Sequence, residues 1–153
     1  MSKVHFSIDS NQHLADHESK KGTYIWLHKN EPKLLQVGDK FLLNEETIRV
    51  NSINKTNQKI ELQVGEAKTL SVNLRLFKER FFSIGSSGRC HYVNESLEPY
   101  HAGIDLLSLT LHNLIEDEDC SNARGTWMKV KEPIKVAGGD LILAFPYVFE
   151  VKY

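Results

Sequence analysis

Ser19-Lys20-Lys21-Gly22-Thr23-Tyr24-Ile25-Trp26, followed by Pro32, Val37-Gly38-Asp39 and Ile48-Arg49-Val50, is met a second time near the C-terminus. There the chain reads Ser121-Asn122-Ala123-Arg124-Gly125-Thr126-Trp127-Met128, then Pro133, Gly138-Gly139-Asp140 and Phe149-Glu150-Val151. The Gly-Thr and Gly-Asp pairs keep their separation within two residues between the copies. Each copy reads as a strand, a proline-bearing connection, a Gly-Asp turn and a closing strand pair, which is one supersecondary unit used twice.

Outward from these copies the chain continues in short runs of alternating apolar and polar residues. They span 4–8, 23–27, 40–43, 47–53, 59–64, 69–77, 81–84, 101–107, 125–130, 140–145 and 147–151. Turn signals such as Lys21-Gly22, Ser86-Ser87-Gly88 and Ala137-Gly138-Gly139-Asp140 separate them. No stretch of similar length carries a helical apolar stripe, so the expected class is all-β, a sandwich of mainly antiparallel strands.

At 153 residues the chain is long enough to bury a core, and 25% charged with 41% hydrophobic residues is the balance of a globular protein. A net charge of −1 gives no basic excess to neutralise a phosphate backbone, which argues against nucleic acid as a partner. The longest apolar run, Leu141 to Phe145, is too short for a membrane helix, and no signal-peptide pattern opens the chain. Cys90 and Cys120 do not form a disulfide framework. The expected location is therefore intracellular, cytoplasmic or nuclear, with neither membrane nor secretion.

The second copy has upstream companions: Phe82-Ser83-Ile84-Gly85, then Ser96-Leu97-Glu98-Pro99-Tyr100-His101, then Ser121 to Thr126, then Gly139-Asp140. This series resembles the forkhead-associated (FHA) family, whose pattern runs Ile-Gly-Arg, Ser-x-x-His, Ser-x-Asn-Gly-Thr and a late Gly-Asp. The N-terminal segment resembles only the later half of that pattern, through Ser2-Lys3-Val4-His5, Ser19 to Thr23 and Gly38-Asp39. The resemblance implies a C-terminal half unit over 1–56 and a complete sandwich over 57–153. The half unit would expose an apolar face and unpaired strand edges. Two explanations stay open: a longer parent protein, or a neighbouring chain that completes the half by strand addition.

The resemblance also implies phosphothreonine-peptide binding, a task that needs an Arg fork, a hydroxyl and amide donors converging on the phosphate. Here the expected arginine is Ser86 and the expected serine is Glu98. A carboxylate beside a phosphate costs about 4 kcal/mol for unit charges about 4 Å apart at an effective dielectric of about 20. One new hydrogen bond returns only about 1 kcal/mol. Arg124 stands where the family has Asn, and Arg89 lies in the loop after Gly85. Either restores positive charge, or Arg124 pairs with Glu98 and closes the site; the closed arrangement accounts for both departures together. Candidate peptide or phosphate positions are thus Ser86, Arg89, Glu98, Ser121, Asn122 and Arg124, with Ser2, Lys3 and Lys21 in the half unit. His101 and His5 are expected to brace their loops, and Gly85, Gly22 and Gly125 to occupy turns.

Other constellations are weaker. His13, Asp16 and His17 do not share a helical face, and Cys90-His91 with Cys120 lacks zinc-site spacing. The acidic run Glu116 to Asp119 lacks the alternating ligands of a calcium loop. Trp26, Trp127, Phe81 and Phe82 are expected in the core. No nucleophile elbow, P-loop or paired-carboxylate arrangement appears, so neither enzyme activity nor a cofactor or metal is expected. The leading expectation is a non-catalytic protein-interaction module, an adaptor or structural subunit that binds largely without phosphate. The alternatives are a phosphothreonine reader using Arg89 and Arg124, and a regulatory fragment of a larger enzyme.

Overall fold

The computed structural model describes residues 5–17, 19–28, 31–73, 75, 78–115, 125–145 and 147–152. Sixteen strands run through them. The first six are β1 (Phe6–Ile8), β2 (His13–Asp16), β3 (Tyr24–Trp26), β4 (Lys33–Leu34), β5 (Lys40–Leu43) and β6 (Glu46–Asn54). Next come β7 (Lys59–Val64), β8 (Lys68–Asn73), β9 (Phe81–Gly85), β10 (Tyr92–Val93), β11 (Ala102–Asp105) and β12 (Thr110–Asn113). The last are β13 (Thr126–Lys129), β14 (Ile134–Lys135), β15 (Leu141–Ala144) and β16 (Tyr147–Glu150). The protein is all-β, with no helix among the described residues and so none long and apolar enough to cross a membrane.

Three sheets form: β16-β15-β3-β13-β5-β6-β7-β8, β10-β9-β11-β12-β4, and β1-β2-β14. All neighbours are antiparallel except β9 and β10. Period-two alternation decides which residues face inward. Phe41 and Leu43, Ile48 and Val50, and Ile60, Leu62 and Val64 meet Phe82, Ile84, Ile104 and Leu111 in the main core. A smaller core gathers Leu14, Val130, Val136, Ile142 and Val151. On the other face of the long sheet, Tyr24, Trp26, Trp127, Leu141 and Leu143 form a third cluster.

The sheets do not divide at residue 56, where the sequence repeat suggests a boundary between a 1–56 half and a 57–153 whole. β5 and β6 lie between β13 and β7, and β4 pairs with β12, so residues 33–54 are built into the sandwich of 59–113. In return, β14, β15 and β16 pack with β1, β2 and β3 as the incomplete sandwich. Loop length supplies a physical reason. Only the turn 55–58 separates β6 from β7, so the pair closes as a hairpin at low entropic cost.

The exchange has near two-fold symmetry. β3 and β13, the repeated Gly-Thr strands, lie side by side with Ile25 opposite Met128, its own counterpart in the other copy. Leu27 N–H donates to the Thr126 carbonyl and Val130 N–H to the Thr23 carbonyl, each at 2.8 Å. Beyond the crossing, Lys131 Nζ reaches Asp39 at 2.6 Å and His28 Nε2 reaches Asp140 at 2.8 Å. The same two carboxylates accept N–H donors from Gln36 and Ala137, so each Gly-Asp turn is tied both locally and to the opposite strand.

The symmetry reaches the motif His5-Phe6-Ser7-Ile8-Asp9, which returns as His101-Ala102-Gly103-Ile104-Asp105. Asp105 is buried and accepts from the N–H groups of Leu107 and Ser108 and from Arg80. The Arg80 fork, with the N–H groups of Ser108 and Leu107, outweighs burial and holds the Asp105 carboxyl at about 2. Its unfolded value is about 3.9, so the pair's contribution is complete above that pH and disappears as the pH falls through about 4 toward 2. Urea unfolding of Arg80→Ala against the parent should therefore differ at pH 6 and converge near pH 2; an equal gap at both would refute the assignment.

Candidate functional site

The loop end of the main sandwich is where sequence places most candidate residues, and three segments meet there. β9 ends at Gly85 and leads into loop 86–91; loop 94–101 approaches it; Gly125 precedes β13. Backbone hydrogen bonds join the first two, with Ser86 N–H donating to the Glu98 carbonyl at 2.9 Å and Ser87 N–H to the Pro99 carbonyl at 3.1 Å. The Cys90 thiol donates to the Pro99 carbonyl as well, and the Ser87 hydroxyl meets Tyr100 Oη. Gly85 is required by this closeness, since a Cβ there would stand 2.2 Å from the Pro99 oxygen.

His101 is fully buried at the joint. Its Nδ1 accepts the Glu98 N–H at 3.2 Å, which leaves the ring proton on Nε2 to donate to the Gly125 carbonyl at 2.7 Å. His5 Nε2 bonds the Gly22 carbonyl at 3.0 Å, the same brace in the half unit. Gly22 and Gly125 both take positive φ, 82° and 105°. At Gly125 the indole nitrogen of Trp26 lies 2.2 Å from a would-be Cβ, so the two copies interlock at this glycine.

Ser86 is half-buried with its N–H engaged, Glu98 is half-buried, and Arg89 is exposed with its N–H on the Ser87 hydroxyl. These three share one loop end. Lys21 is elsewhere, with Nζ 4.2 Å over the Phe145 ring in a cation–π contact. Ser2, Lys3, Ser121, Asn122 and Arg124 lie outside the described residues, as do Cys120 and the acidic run 116–119. His13, Asp16 and His17 turn to different partners. His13 stands by Asp9, His17 bonds the Ser7 hydroxyl, and Asp16 takes the hydroxyls of Ser19 and Thr23. Burial would raise the Asp16 carboxyl, but those hydroxyls bring it below its usual range. Trp26, Trp127 and Phe82 are buried, whereas Phe81 is half-buried and packs over Gly103 and His112.

A network absent from the sequence reading holds the strand after Gly125. Buried Asn113 donates Nδ2 to the Leu27 carbonyl and accepts the Thr126 hydroxyl, both at 3.1 Å. Thr126 repeats Thr23, whose hydroxyl bonds Asp16, so the duplicated Gly-Thr pair was the signal that could have found it. A groove of about 780 Å³ follows the crossing, lined by His28, Lys33, Asp39, Met128, Lys131 and Asp140 among others. Within it Lys131 pairs with Asp39 and His28 Nε2 meets Asp140, while Glu31, Lys33, Lys129, Glu132 and Lys135 complete the charged lining.

No family model, curated protein or solved structure matches the chain.

Proposed function

We propose that the chain is a non-catalytic protein-interaction module of FHA-like build, an adaptor or structural subunit whose main loop end works without phosphate. The observation that supports this most is how that loop end spends its donors. The Ser86 and Ser87 N–H groups, on the loop where an anion would need them, are bonded to the Glu98 and Pro99 carbonyls. A phosphate arriving there would meet engaged amides, with Ser86 and Glu98 at the positions where the family pattern has an arginine and a serine. Affinity then has to come from surface complementarity, and exposed apolar side chains such as Tyr147 and Phe149 on β16 provide area for it.

The competing reading is a phosphothreonine reader, favoured by the exposed Arg89 on the same loop. Isothermal titration of the full chain with phosphothreonine peptides separates the two. The expected result is no binding tighter than millimolar and no change with Arg89→Ala. Micromolar binding that Arg89→Ala or Arg124→Ala abolishes would overturn the phosphate-independent reading.

A further inference from the structure

In the main sandwich, β11 and β6 are each covered on one side, by β9 and β7. β9 lays Phe82 and Ile84 into the core, and β7 lays in Ile60, Leu62 and Val64. The counterparts of β11 and β6 in the incomplete sandwich are β1 and β16, and among the described residues both are sheet edges. The exposure of matching residues measures what is missing: Ile104 is 0% exposed and Ile8 38%, while Ile48 is 0% exposed and Phe149 45%. Phe6 and Phe149 touch edge to face at 5.4 Å, which narrows the opening but leaves a groove of about 530 Å³. Ile8, Ile142 and Val151 line it as well.

Charge makes the same comparison. Asp9 Oδ1 accepts the N–H groups of Asn11 and His13 at 2.9 Å, as Asp105 Oδ1 accepts those of Leu107 and Ser108. Asp105 also receives the Arg80 fork, which arrives just ahead of β9. Asp9 keeps a side chain 56% exposed, and its ion-pair partner among the described residues is His13 at 3.7 Å. A guanidinium ahead of an added strand would find that carboxylate already oriented.

We propose that β1 and β16 form a receptor for two β-strands donated by a separate protein chain. The strand on β1 carries an arginine followed two and four residues later by apolar side chains, as in Arg80-Phe81-Phe82-Ser83-Ile84. The strand on β16 carries three apolar residues in alternation, as in Ile60-Glu61-Leu62-Gln63-Val64. A second copy of this chain does not fit the role, because its own β7 and β9 are buried in its own sandwich and donating them would empty that core. The inference rests on the interaction-module reading and names the partner of that module.

The chain's own strands serve as probes. Hydrogen exchange read by mass spectrometry is run on the full chain, alone and with a synthetic peptide of residues 57–88. A shorter peptide, 78–88, tests the β1 arm separately. Amides of 6–10 and 147–151 should exchange at least tenfold more slowly with the long peptide. Arg80→Ala in the peptide, or Asp9→Asn in the chain, should weaken binding about tenfold, and the two together no further. Unchanged exchange in both segments at millimolar peptide would overturn the proposal. So would protection confined to β6 and β11, meaning that the peptide merely replaces the chain's own strands, or a dimer of the chain alone, seen in native mass spectrometry, that already protects these edges. A phosphothreonine peptide is the control. If it slows residues 86–90 while the strand peptide still protects 6–10 and 147–151, the phosphate-independent reading fails and the receptor stands; if neither peptide protects anything, the receptor alone fails.

Discussion

Trp127→Ala should lower unfolding stability by about 3–5 kcal/mol, the range for deleting a fully buried large aromatic. Trp127 has no exposed surface and sits on β13, hydrogen-bonded between β3 and β5 at the middle of the eight-stranded sheet. That strand joins the main sandwich to the incomplete one, so the loss should be felt by both. Against a typical total of about 5–15 kcal/mol, the variant stays only marginally folded. Urea unfolding followed by circular dichroism measures the shift, and hydrogen exchange shows whether β7 and β16 lose protection together. A loss below about 1 kcal/mol, or weakening confined to one sandwich, would contradict the central position assigned to this side chain.

Gly85→Ala is the second large effect, and it acts through backbone. The new methyl would meet the Pro99 oxygen at 2.2 Å, its carbon at 2.8 Å and the Glu98 oxygen at 2.9 Å. None of these is a flexible side-chain end, so the two loops must part. Parting them breaks the Ser86–Glu98 and Ser87–Pro99 hydrogen bonds and disturbs the His101 brace. Overpacking and lost bonds together cost about 3 kcal/mol. Unfolding midpoints and the exchange rates of the Ser86 and Ser87 amides test this; an unperturbed midpoint with slow exchange at both amides would show that the loops are not joined as described.

The strands that sequence discloses are those with several alternating apolar positions. Ile60, Leu62 and Val64 declare β7, and Phe41 and Leu43 declare β5, because each buries one face of a run. β2 and β12 escaped notice for the same reason: each has one fully buried leucine, Leu14 or Leu111, and a single point has no period. β4 and β14 are two residues long and stay exposed or half-exposed, so no burial pattern marks them. Pairing partners were hidden more deeply. Alternation says which face a residue occupies but not which strand lies beside it, so the repeat was visible while the exchange of β4–β6 for β14–β16 was not.

At the loop end, residue identity pointed to Ser86, Glu98, His101 and Gly125, and the braces on Gly125 and Gly22 join the residues expected to be structural. The Ser86 and Ser87 amides could not be foreseen, because a backbone N–H carries no signature of its own. Asp105 and Asp9 could have been. Ile-Asp follows His by three residues in both copies, and a carboxylate that recurs beside turn amides is a repeated local cap.

The turn at residues 55–58 looks in the sequence like a seam between two modules, yet the solid has no seam there. Hydrolysing one peptide bond in it would create two new termini without releasing a body, because β5 and β6 remain clasped by β13 on one flank and β7 on the other. The sequence sets its two copies end to end; the folded object is plaited, and severing the thread leaves the plait.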